Sequence, residues 1–161
     1  MAQLIPSAYK TRYVIMRIKL LSLFILQSVI SFAQVANDGE LSFVGLQRNF
    51  AGVNLNYRKA NIEGQAGDAK ALVVYLHGGS SCGTDNTTQM SEPGIDSIAN
   101  YLFNHHKAAV FIVPQCPDRN KGWGGITKNV KALLDFTANT ESADPSQIYI
   151  FGGSMGGTGT W

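Results

Sequence analysis

Near its end the chain carries Gly152-Gly153-Ser154-Met155-Gly156-Gly157, a serine flanked by glycines two positions before and after it. A serine hydroxyl attacks a carbonyl carbon when the backbone holds it exposed and a base takes its proton. The pattern Gly-x-Ser-x-Gly is that of a nucleophile elbow, a sharp strand-to-helix turn with the serine in strained geometry. Neighbours without side chains leave room for such a turn. The helix that follows places partial positive charge beside the hydroxyl, which favours a developing alkoxide. The same residues also describe an ordinary flexible loop. The context favours the elbow: Asp144-Pro145-Ser146 punctuates the chain, and Ile148-Tyr149-Ile150-Phe151 reads as a short buried strand.

Two further loops carry candidate chemistry. His77-Gly78-Gly79-Ser80 follows the apolar run 71–76, and Gln115 follows the apolar run 108–113, which Pro114 is expected to stop. Continuous apolar runs of this length read as strands covered on both faces. Between them, residues 91–107 show helical spacing at Ile95, Ile98, Ala99, Leu102 and Phe103. Residues 126–138 show it at Val130, Leu133, Leu134 and Ala138. Earlier, 41–50 and 53–60 alternate loosely and meet at Ala51-Gly52, which suggests a hairpin; 61–70 is a polar loop. The alternation of strand and helix predicts an α/β fold, a three-layer sandwich with a mostly parallel sheet and right-handed crossovers. Ligands sit at the carboxyl ends of such strands. His77, Gln115 and Ser154 each follow one, so three separate loops converge on one rim.

The chain has 161 residues, 45% hydrophobic and 15% charged, enough for one domain with a core. Its net charge of +2 is uneven: Lys10, Arg12, Arg17 and Lys19 lie before residue 34, leaving 9 basic against 11 acidic residues beyond it. That balance gives no basic patch for nucleic acid. No metal-ligand spacing or phosphate-cradling loop is present, so no cofactor is implied.

Met16-Arg17-Ile18-Lys19, an apolar stretch at 20–30 and Ser31-Phe32-Ala33 form the pattern of a secretory signal with cleavage before Gln34. The stretch is short for a membrane span, which takes about 20 residues. The expected organisation is a signal peptide at 1–33, with a misplaced start ahead of Met16, a linker at 34–40 and a domain at 41–161. The protein is then exported, periplasmic or extracellular, and meets the membrane only in transit; an uncleaved anchor is the alternative. Cys82 and Cys116 both follow strand ends. In an oxidising compartment they can pair, or remain two small unpaired side chains.

Five segments, in order, carry a resemblance: Leu76-His77-Gly78-Gly79; Thr84-Asp85-Asn86; Val113-Pro114-Gln115-Cys116-Pro117; Asp144-Pro145-Ser146-Gln147-Ile148-Tyr149; and Gly153-Ser154-Met155-Gly156-Gly157-Thr158-Gly159-Thr160-Trp161. Together they resemble the α/β-hydrolase superfamily, and within it the secreted bacterial esterases and peptidase-like proteins of the phospholipase/carboxylesterase type. The resemblance covers about residues 41–161. It implies a serine hydrolase of small-molecule or polymer-derived esters, with peptides as the other substrate class. Ser154 would be the nucleophile, and the backbone N–H groups of Met155 and Gly79 the oxyanion hole. His77, Asp85, Gln115 and Trp123 would line the pocket or brace its loops. His77 is expected to support the oxyanion loop, because the family's general base follows the serine and its acid in the chain. His105 and His106 are expected to face solvent or cap a helix.

The sequence ends at Trp161, seven residues after Ser154. The family places its acid and its histidine on strands further along, so the chain reads as a hydrolase truncated after the elbow, with its elbow strand left as an apolar edge. It is expected to turn over esters poorly by itself. The alternative is a non-catalytic module of the cell envelope that keeps the hydrolase fold and its pocket.

Overall fold

The computed structural model describes residues 41–161; the expected signal peptide and linker lie outside the described residues. Strands β1 (Val44–Phe50) and β2 (Val53–Ile62) form the expected hairpin, closed by Ala51 and Gly52, both in the left-handed region that a two-residue hairpin turn requires. β2 runs two residues further than expected. It then pairs antiparallel with β4 (Ala109–Gln115), which pairs parallel with β3 (Ala71–Leu76). β3 pairs parallel with β5 (Ile148–Gly152), giving the order β1-β2-β4-β3-β5. β2 alone opposes the direction of the other four strands.

Every residue of β3 and β4 is buried, as their unbroken apolar runs demand. The pleat sends alternate side chains to opposite faces. Leu72, Val74, Leu76, Val110 and Ile112 meet Val130 and Leu133 of helix α2 (Thr127–Glu141). Val73, Tyr75, Phe111 and Val113 meet Ile95, Ala99 and Leu102 of helix α1 (Pro93–Asn104). A helix therefore covers each face, and the three layers are complete over the central strands. Each fully buried Leu, Ile or Phe side chain contributes about 1.5–3 kcal/mol, so these two clusters hold the sheet that carries the loops.

Several expectations shift. Pro114 does not stop β4 but lies within it, opposite Tyr57 of β2 and beyond the last β3 pair, Val74 with Ile112. A missing N–H is tolerated at such a strand end. Helix α1 begins at Pro93, which suits the first helical turn, after a separate short turn, Thr88–Ser91. Phe103 faces solvent rather than the core. Helix α2 runs to Glu141, three residues past the expected end, and stops at left-handed Ser142. β5 is an edge strand among the described residues. α1 and α2 cover β3 and β4 but leave β5 open, so Ile148, Tyr149, Ile150 and Phe151 are each 39–50% exposed.

Candidate functional site

β5 ends at Gly152, and helix α3 (Met155–Gly159) begins three residues later. Ser154 bridges them with φ 53° and ψ −118°, outside the helical and extended regions. A residue held in so sparse a region costs about 1–3 kcal/mol and persists only where surrounding contacts impose it. Here they do. The Gly153 N–H donates to Leu76 O at 3.3 Å, and the Gly156 N–H donates to Gly153 O at 2.8 Å. A Cβ on Gly152 would lie 2.4 Å from the Gly156 carbonyl carbon, and one on Gly156 only 1.8 Å from Leu76 O. The turn closes because both positions are bare, and the expected elbow is present as a backbone geometry.

Ser154 opens into a cavity of about 520 Å³, lined by Gly78, Gly79, Ser80, Glu92, Arg119, Ser154 and Met155. Gly79 opens the helical turn Gly79–Ser81, and Met155 opens α3. As first residues, both have an N–H without an intrahelical acceptor. Glu92 ties the glycine loop down: its Oε1 accepts from the Gly78 N–H at 3.0 Å and from the Ser81 hydroxyl at 3.1 Å. A larger hollow of about 770 Å³ lies between α1 and the open face of β5, lined by Val73, Ile98, Tyr101, Leu102, Tyr149 and Phe151 among others. It includes neither Ser154 nor the glycine loop, so size does not identify the reactive site.

No protein-family model and no curated protein matches the chain. Solved structures do. A thermostable esterase superposes with a TM-score of 0.52 and 26% identity, over 74% of this chain and 36% of that one. A cold-adapted esterase from an Arctic intertidal metagenomic library gives 0.54 and 15%, over 78% and 56%. Est1E from Butyrivibrio proteoclasticus gives 0.51 and 16%, over 72% and 43%. The chain has the α/β-hydrolase fold. It spans 36–56% of the length of these three structures.

Of the two roles expected for His77, Asp85, Gln115 and Trp123, the structure gives the second: they do not line the Ser154 cavity but brace the loops that do. His77 is fully buried. Its Nε2 accepts from the Cys116 N–H at 2.9 Å, which puts the proton on Nδ1, and Nδ1 donates to Gly78 O at 2.6 Å. Burial holds its pKa below the ordinary value, against weaker opposing effects of the Gly78 hydrogen bond and Glu92. Trp123 is buried beside it, edge-on at 4.9 Å between ring centres, and donates from Nε1 to His77 O at 3.0 Å. Gln115 is buried and ties three segments together. Its Nε2 donates to Ser81 O at 3.3 Å and Asp85 Oδ1 at 2.8 Å, and its Oε1 accepts from the Asn86 N–H at 2.8 Å. Asp85 accepts from the Thr88 hydroxyl and the Thr87 and Thr88 N–H groups, and these bonds hold its carboxyl well below the usual range. A long buried side chain cannot leave its bonds unmade to face a cavity, because each orphaned polar group costs about 1–3 kcal/mol.

His105 and His106 follow α1 and precede β4, so they lie on the rim opposite Ser154, roughly 20 Å away by the length of the strand. Both are exposed, as expected. Cys82 and Cys116 are unpaired. Cys116 is buried, which pushes its thiol up to about 12, with the neighbouring Cys82 adding to the rise. Sequence reasoning missed Glu92 and Arg119. Arg119 stands in the loop that follows β4, four residues beyond Gln115, at the strand's carboxyl end where ligands of such sheets sit. Glu92 immediately precedes Pro93, where a chain about to enter a helix often places a polar side chain.

Proposed function

We propose that the protein is a serine hydrolase of carboxylic esters. Ser154 Oγ attacks the ester carbonyl, and its proton passes to a base. The carbonyl oxygen becomes an oxyanion received by the N–H groups of Gly79 and Met155. Collapse expels the alcohol and leaves an acyl-serine that water cleaves. Removing one such donor costs about 3 kcal/mol in known hydrolases. The observation that carries this reading is the backbone of Ser154, strained at the carboxyl end of β5 and opening on the cavity that both glycine-loop and helix amides border. The esterases that share the fold favour esters over peptides as the substrate class.

The reading also sets an expectation about rate. The chain has three histidines. Both nitrogens of His77 are engaged, and the other two stand on the far rim. None can take the serine proton, so hydrolysis by the chain alone is expected to be slow. The test is chemical rescue. The chain is incubated with p-nitrophenyl acetate and imidazole, and the peptide bearing Ser154 is followed by mass. Imidazole-dependent acetylation of Ser154, lost in Ser154→Ala, is the expected result. Ser154 left unmodified at every imidazole concentration refutes the nucleophile assignment. It would favour a non-catalytic binding module.

A further inference from the structure

Among the described residues, Arg119 is the one cationic side chain bordering the Ser154 cavity. Its stem lies along the glycine loop: a Cβ on Gly79 would stand 3.2 Å from Arg119 Nε, 3.8 Å from its Cγ and 3.7 Å from Met155 Sδ. The guanidinium is therefore on the wall that carries both candidate oxyanion amides. Among the described residues it forms no ion pair. The ion pairs among the described residues are Lys59 with Glu141 and Lys131 with Asp135. Glu92, the one carboxylate on the cavity wall among the described residues, commits its Oε1 to the Gly78 N–H and the Ser81 hydroxyl instead. Asp118, next in the chain, turns its Oδ1 to the Asn120 N–H at 2.9 Å. An uncompensated planar cation beside a reactive serine favours an anionic partner, and guanidinium forks match carboxylates in two-point geometry.

We propose that Arg119 selects ester substrates that carry a free carboxylate, such as half-esters of dicarboxylic acids. That such a ligand is a substrate rests on the hydrolase reading; the binding preference does not. Glu92 limits the charge that the cavity accepts. A monoanion can lie against Arg119 with its neutral ester end toward Ser154, whereas a dianionic phosphate would bring surplus negative charge toward Glu92. The opposed charges also orient the ligand, because only one end is attracted to the Arg119 wall.

The test is equilibrium binding to the full chain, followed by NMR line shifts, with no turnover needed. Monomethyl succinate, dimethyl succinate and inorganic phosphate are the probes. The half-ester is expected to bind about tenfold tighter than the diester, a difference of about 1.4 kcal/mol. The preference should shrink as ionic strength rises, since an exposed pair is screened. It should vanish in Arg119→Ala and return in part in Arg119→Lys. Ser154→Ala should keep it, which separates this inference from the nucleophile assignment. Equal binding of half-ester and diester, no binding of the half-ester, or an unchanged preference in Arg119→Ala each overturns the proposal. Phosphate binding more tightly than the half-ester overturns the choice of carboxylate.

Discussion

Replacing Gly156 by alanine tests whether the elbow is imposed by contact between α3 and β3. The new methyl would lie 1.8 Å from Leu76 O, 2.5 Å from Leu76 C and 2.9 Å from His77 O. These are backbone atoms of a fully buried strand and its exit, so no side chain can swing aside. Helix α3 must lift by more than an ångström or β3 must bend. Overpacking a core costs typically about 1–3 kcal/mol, and a clash with rigid backbone belongs at or above the top of that range. Gly157, one position on, is the control. Its added methyl would meet Gly152 O at 3.4 Å, an ordinary contact. Gly157→Ala should therefore gain up to about 1 kcal/mol from the better helix propensity of alanine. Trp123, buried beside the site, reports unfolding by fluorescence in urea. With a slope of about 1–3 kcal/mol/M, a loss of about 3 kcal/mol lowers the midpoint by about 1–3 M. The two variants should thus move in opposite directions. If Gly156→Ala unfolds within about 1 kcal/mol of Gly157→Ala, the α3–β3 contact does not hold the serine.

His77 should make the fold acid-sensitive. Its folded-state pKa lies below the ordinary 6.5, so its contribution is fully present above that value and is lost as pH falls from 6.5 through the lower folded value. Urea unfolding between pH 7 and 5 should show stability declining with acid, and a flat profile would contradict the buried, neutral imidazole. The open edge of β5 should drive self-association. Ile150→Lys places a charge at its centre and is expected to raise the concentration at which light scattering appears, with little change in unfolding midpoint. Unaltered scattering would mean that another surface is responsible.

The legible part of this fold was the part governed by apolar periodicity. β3 is bounded as its apolar run predicts, and Ile95, Ala99, Leu102, Val130 and Leu133 are buried where helical spacing put them. Failures came where tertiary partners decide. Pro114 extends β4 because β2 is there to pair with it, and nothing local announces that partner. The elbow was legible because its chemistry is local: two bare positions around a serine, after a β-rich run. The support that His77 gives the glycine loop was expected from its place beside that loop, but the partners that fix His77, Gln115 and Trp123 were not legible, because their hydrogen bonds reach across 34 to 46 residues of chain. Arg119 carries no local pattern at all. Its position matters only because the glycine loop comes back beneath it.

The serine's aim is thus decided by an interior neighbour rather than by the strand that delivers it. Gly153 and Gly156 both register against the last carbonyl of β3, so wear at the free margin of β5 need not disturb the hydroxyl. Substitutions that retune the outer faces of that strand, for solubility or for a new companion, can accumulate while the reactive group keeps its bearing.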